Sequence, residues 1–173
     1  SSIQYDFHNC VIKVVKNLRY DTEEQETFPD YVKLFNVVSK LNKFHKYTSN
    51  IITSHDVVAY LMIKMNYLCA QKMKEHNIGI FRSAKYGDEF NLPENVPENI
   101  QKFLKHWNRL GGRYCKSIDD HEMLNLDAYV HITSPIRRLV DLLNIMKLQD
   151  SLGLYTLNEN ANRFYERWTC DES

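Results

Sequence analysis

The sequence has no net charge to offer a polyanion: 22 lysines and arginines are balanced by 22 aspartates and glutamates. Free-standing nucleic-acid binders are usually basic, so any contact with nucleic acid is expected at a local site and not through bulk charge. Glycine (5) and proline (4) are scarce in 173 residues, which leaves few sharp turns and mostly regular structure. The four cysteines, Cys10, Cys69, Cys115 and Cys170, are scattered and form no C-x-x-C pair. That excludes a disulfide framework or a zinc site and fits reduced thiols inside a cell, with the cytoplasm as the expected compartment. No apolar run approaches the ~18 residues of a membrane span, so no membrane partner is expected. The chain opens without a charged stretch leading into an apolar one, so no signal peptide is visible. Internal repeats and low-complexity tracts are also missing.

What is present is globular. Hydrophobic residues make up 43% and charged residues 25%, and the length suits one domain, or part of one, spanning residues 1–173. Residues 10–19 (C-V-I-K-V-V-K-N-L-R) are β-branched and partly alternating, which predicts a strand. The acidic residues at 21–24 suit the first turn of a helix. Pro29 to Lys46 predicts a helix with Tyr31, Leu34, Phe35, Val38, Leu41 and Phe44 on one face. After a polar connector, a long helix is expected from Thr53 or Ser54, with Asp56 completing a capping box. Its expected buried face holds Val57, Val58, Leu61, Met62, Met65, Leu68, Cys69 and Met73. Ile78–Ser83 reads as a strand and 84–98 as a loop. Pro97–Leu110 reads as a helix closed by Gly111-Gly112, 114–120 as a loop, and Thr156–Trp168 as a short helix. His55-Asp56 lacks supporting histidines at helical spacing and is not read as a metal pair.

The stretch from Leu124 to Gln149 holds the chemistry. Ser134-Pro135 predicts a helix start, with Ser134 as N-cap. Ile136, Leu139, Val140, Leu143 and Met146 follow at helical spacing. Arg137 and Arg138 would then stand in a first turn, where the helix dipole disfavours cations by roughly 0.3–1 kcal/mol each. Two such arginines point to an anion, and forked guanidiniums beside free N–H groups suit a phosphate. The alternative from spacing is pairing with Asp141, which lies four residues from Arg137 and three from Arg138.

The run Tyr129-x-His131-x-Thr133-Ser134-Pro135-Ile136-Arg137-Arg138-x-x-Asp141-Leu142, preceded by His121, Leu124 and Leu126, resembles the signature of the ribonuclease II (RNB) family of exoribonucleases. Three departures stand out in this stretch. Met123 replaces a family glycine, Leu139 replaces a tyrosine, and Ile145-Met146 replace a His-Arg pair. Further upstream, residues 10–24 resemble a family strand and helix start, and Ile78–Arg82 resembles its G-I-Y-R segment. On the long helix Met62 and Asn66 are kept, while Ala59 and Tyr60 stand where the family has glutamates.

The resemblance implies a helix-rich α+β fold with a few short strands: the C-terminal half of an RNB-type catalytic domain. It implies 3′-to-5′ hydrolysis of single-stranded RNA to nucleoside monophosphates, with Arg137 as the catalytic contact to the scissile phosphate. Arg138 would support a phosphate or a carboxylate, and Tyr129, His131, Thr133 and Ser134 would shape the substrate site. The implied Mg²⁺ needs several converging carboxylates. The family's aspartate-rich motif is missing from this sequence, where Asp119-Asp120 is read as a turn pair, and the OB-fold domains are missing too. No metal ligand is therefore assigned in this chain. The carboxylates would come from the remainder of the catalytic domain, in the same or another chain, and this chain alone is not expected to be competent. The alternative is a non-catalytic RNB-like subunit, an RNA-binding or scaffold component of a larger assembly.

Overall fold

The computed structural model describes residues 5–20, 22, 27–84, 96–98, 100–101, 112–118, 121 and 124–169. The expected helix start at 21–24, the loop at 84–98, the helix ending at Gly111, the Asp119-Asp120 pair and Met123 lie wholly or largely outside them. Among the described residues the architecture is α+β and helix-rich. In chain order come α1 (Pro29–Phe44), α2 (Ser54–Glu75), β1 (Phe81–Ala84), β2 (Gly112–Cys115), α3 (Leu139–Ser151) and α4 (Glu159–Thr169).

Helix α1 starts on Pro29 with Asp30 in its first turn. It packs Tyr31, Phe35, Val38 and Leu41 against Val57 and Tyr60 of α2. Leu34 and Phe44, expected on the same stripe, are exposed. Helix α2 is fixed at its start by the predicted capping box: Thr53 Oγ1 accepts from Asp56 N, and Asp56 takes the Thr53 N–H at 2.7 Å. Its buried face runs through Val57, Tyr60, Ile63, Asn66, Cys69, Ala70 and Met73, leaving Val58 and Met65 exposed. The expected face is rotated because a polar residue, Asn66, sits at its centre. Helix α4 is capped by Asn158, whose Oδ1 accepts from Ala161 N at 2.9 Å.

Strands β1 and β2 pair antiparallel, Phe81 opposite Cys115 and Ala84 opposite Gly112. This corrects two expectations. Tyr114 and Cys115 belong to a strand and not a loop, and Gly112 opens that strand. A Cβ at Gly112 would meet the Arg82 guanidinium, so a larger residue there would push that side chain from its place. The partner of β2 lies some thirty residues upstream, beyond the reach of local pattern.

A third correction concerns residues 10–19. They form no strand, and Val11 and Val15 are 103% and 87% exposed. β-Propensity reflects packing against neighbouring strands, and no strand among the described residues pairs with this segment.

The main core gathers Cys69, Ala70 and Met73 of α2, Phe81 of β1, Leu148 of α3 and the alternating residues Ala128, Val130 and Ile132. Alternation places Tyr129 and His131 on the opposite side of that extended segment. Two fully buried asparagines tie it down. Asn66 of α2 accepts from Ile132 N at 3.1 Å and donates to the Tyr129 hydroxyl at 2.9 Å. Asn144 of α3 accepts from Ile80 N at 2.8 Å and donates to the carbonyls of Ile80 and His131, both at 3.0 Å. No helix among the described residues is long and apolar enough to cross a membrane.

Candidate functional site

The expected helix start at Ser134-Pro135 is not where α3 begins. Residues 135–137 form a separate turn, in which Ser134 O accepts from Arg137 N at 3.2 Å and from Arg138 N at 3.1 Å. Arg138 is the extended N-cap of α3, and the helix starts at Leu139. Ser134 does not cap through its hydroxyl; its own N–H donates to Asp141 Oδ1 at 2.7 Å. Asp141 is the reason. Its carboxylate sits in the first turn of α3, where a negative charge is favoured, and draws the preceding turn inward. Ile136, expected on the apolar face, is 102% exposed at the tip of the turn.

The two arginines then part company. Arg138 donates from Nη2 to Asp141 Oδ1 at 2.9 Å, and its Nε lies 2.8 Å from Oδ2. Asp141 is fully buried, so Arg138 is its counter-ion. Arg137 is exposed, and among the described residues its guanidinium makes one long hydrogen bond, 3.4 Å, to Ser134 Oγ. Among the described residues it pairs with no carboxylate.

Behind the turn lie Tyr129 and His131. Tyr129 is buried; its ring meets His121 edge-on at 4.9 Å and His131 at 5.8 Å. Burial pushes its hydroxyl up from the ordinary tyrosine value. His131 is half-buried, and its Nδ1 lies 2.6 Å from the Tyr114 hydroxyl. Burial, followed by the guanidiniums of Arg138 and Arg82, pushes its pKa down to about 4, so the imidazole is neutral at neutral pH. Arg82 of β1 lies over the Tyr114 ring, 5.3 Å from its centroid, and pairs with no carboxylate among the described residues. A half-buried cation beside a second guanidinium and a discharged histidine makes the local field positive. Thr133 lies at the rear of the turn. It lines a cavity of about 180 Å³ with Phe7, Ile145 and Leu148, and its buried Oγ1 bonds no protein group.

The structure thus brings Tyr129, His131, Ser134, Arg137 and Arg138 into one neighbourhood. Two contributors escaped the sequence reading: Tyr114 reads as a loop residue and Asn144 as nothing in particular. Arg82 reads first as a solvated or paired arginine, with a phosphate contact as the alternative. Asn144 did leave a signal: Val140, Asn144 and Leu148 are spaced by four, which puts an amide on the buried face.

The site does not fit a metal ion. Asp141 is the one acid acting on His131, and its oxygens are taken up by Arg138 and Ser134 N. Among the described residues no three His, Cys, Asp or Glu side chains converge to hold an ion. What the arrangement offers is anion recognition: one free guanidinium on a rigid turn, with a second over an aromatic ring nearby.

No family model and no curated protein matches the chain. Solved structures do. An active-site mutant of the Dss1 exoribonuclease from Candida glabrata matches with a TM-score of 0.54 and 19% identity over 84% of this chain and 24% of that one. RNase R from Mycoplasma genitalium matches in a complex with double-stranded RNA at 0.53 and 15%, over 82% of this chain and 36% of that one. It matches in a complex with ribose-methylated single-stranded RNA at 0.56 and 17%, over 82% and 32%. These are RNB-family exoribonucleases, and the chain has the fold of part of them, spanning a quarter to a third of their length.

Proposed function

We propose that this chain is the phosphate-binding part of a 3′-to-5′ exoribonuclease of the ribonuclease II family, acting on single-stranded RNA and releasing nucleoside monophosphates. The observation that carries this reading is the division of labour in the turn: Arg138 neutralises the buried Asp141, and Arg137 is left uncompensated. An exposed arginine with no acid partner among the described residues, held on a turn fixed from below, suits a ligand of opposite charge. A fork-shaped guanidinium matches phosphate oxygens in pairs. In hydrolysis, Arg137 would oppose the negative charge that develops on the phosphate in the transition state. Arg82 would bind a neighbouring phosphate, with Tyr114 fixing its plane. His131, neutral and bound to Tyr114, would serve as a hydrogen-bonding group and not as a cation. Tyr129, Thr133 and Ser134 would shape the site. Mg²⁺ would supply Lewis-acid chemistry, on carboxylates from the remainder of the catalytic domain.

A second reading has an observation of its own. Tyr60, at a position where the family has a glutamate, is fully buried in an apolar cluster. That favours a non-catalytic subunit that still binds RNA. The test is an assay of the protein as isolated from its natural source, with any bound chain, on 5′-labelled single-stranded RNA with Mg²⁺. Stepwise shortening from the 3′ end with release of mononucleotides supports the enzyme. Tight RNA binding without shortening supports the second reading. Neither binding nor shortening would remove both.

A further inference from the structure

The zero net charge conceals an asymmetry. Residues 31–55 carry four lysines (Lys33, Lys40, Lys43, Lys46) and two histidines, and no aspartate or glutamate. Lys33 pairs with Asp30 at 3.2 Å. Among the described residues Lys40, Lys43 and Lys46 pair with no acid. Such a block is usually a solvated face, but here the fold collects part of it into a concave place.

A cleft of about 570 Å³ opens between the end of α1 and the connector into α2, and Ser39, Lys43, Lys46, Ser49 and Asn50 line it. Among the described residues no acidic side chain lines it. Its shape is fixed by the buried Asn42, whose Oδ1 accepts from Tyr47 N at 3.1 Å and Thr48 N at 3.3 Å, while Nδ2 donates to Thr48 O at 3.1 Å. Ser39 Oγ is buried at the cleft and bonds no protein group. A buried hydroxyl left so costs about 1–3 kcal/mol unless something bonds to it. The helix dipole accounts for Lys43, in the last turn of α1, but not for Lys46, which lies beyond the helix. Asp56, the nearest acid along the chain, is taken up by Ile52 N, Thr53 N and Thr53 Oγ1.

We infer that this cleft is a second anion site, which grips a backbone phosphate of single-stranded RNA away from the Arg137 turn. It rests on the RNA reading above and extends it. The cleft lies at the start of α2, whereas Asn66, which touches Tyr129, lies thirteen residues further on, about 20 Å along the helix axis. A short RNA held at the Arg137 turn therefore need not reach the cleft, and a long one can. Lysine holds phosphate as a point charge, so the contact is blind to sequence.

The test is made on the complete protein by measuring RNA affinity against salt, for homopolymers of about 4 and about 20 nucleotides. Lys43→Gln/Lys46→Gln should weaken the long RNA about tenfold and reduce the slope of log affinity against log salt by about 0.7, one phosphate contact's worth. The short RNA should lose less than about twofold, and Lys43→Arg/Lys46→Arg should restore the slope. An unchanged slope on long RNA would overturn the cleft site while leaving the Arg137 reading intact. A wild-type protein that binds neither RNA would overturn both, which keeps the two failures distinct.

Discussion

Residues 10–19 and residues 128–132 both carry β-branched apolar residues outside the two strands, yet only one is part of the architecture. The first is exposed along nearly its whole length, with Val11 and Val15 open to solvent. The second runs through the core, with Ala128, Val130 and Ile132 buried. The difference lies less in the side chains than in what meets the backbone. Arg82 N donates to Tyr129 O at 2.7 Å, Asn66 receives Ile132 N, and Asn144 donates to His131 O. Among the described residues no comparable contact holds the valines of residues 10–19. Two helix-borne asparagines thus do for the site segment what flanking strands do in a sheet, and they also position the residues proposed to meet phosphate.

The comparison can be broken most severely at Asn144. Asn144→Ala removes the side-chain bonds to Ile80 N, Ile80 O and His131 O and should cost about 3–5 kcal/mol, read as a lowered denaturation midpoint with unchanged m-value. Asn66→Ala orphans the Tyr129 hydroxyl and Ile132 N and should cost about 2–4 kcal/mol in the same measurement. If either substitution costs less than about 0.5 kcal/mol, the tethers are not what holds the segment.

A gentler test uses protons. The His131 pKa is about 4 when folded against an ordinary 6.5, so the unfolded chain binds more protons between those values. Its contribution to stability is complete above pH 6.5 and is lost as the pH falls toward 4, on the order of 2 kcal/mol in all once solvent screening of the half-buried ring is counted. His131→Gln should flatten that part of the stability profile relative to wild type; an identical profile would mean the imidazole is not held neutral. The smallest effect is expected from Val15→Thr in the unpaired segment, within about 0.5 kcal/mol of wild type. A larger loss would mean that residues 10–19 pack against something in the working protein.

Much of this was legible in the sequence. The capping box of α2, the proline start of α1 and the signature residues all write themselves locally, because each depends on neighbours within four positions. The exoribonuclease-like fold followed from the signature. Long-range pairing was illegible: β2 is four residues whose partner is remote, and residues 10–19 read as a strand because propensity says nothing of partners. The arginine pair was half legible. Spacing offered both a phosphate and Asp141, and the structure uses the acid for Arg138 only. The helix start was misplaced because Asp141 acts through Ser134 N, a bond that spacing alone does not announce.

Adjacent arginines have separate tasks here, one structural and one for ligand. The decisive experiment measures thermal stability, RNA affinity and turnover together for Arg137→Ala and Arg138→Ala in the complete protein. Arg138→Ala should strand the buried Asp141 and cost about 3–5 kcal/mol of stability. Arg137→Ala should melt like wild type and slow turnover about 100-fold or more, with a much smaller loss of RNA affinity. If Arg137→Ala turns over normally, or destabilises the protein as much as Arg138→Ala does, the division of labour is wrong.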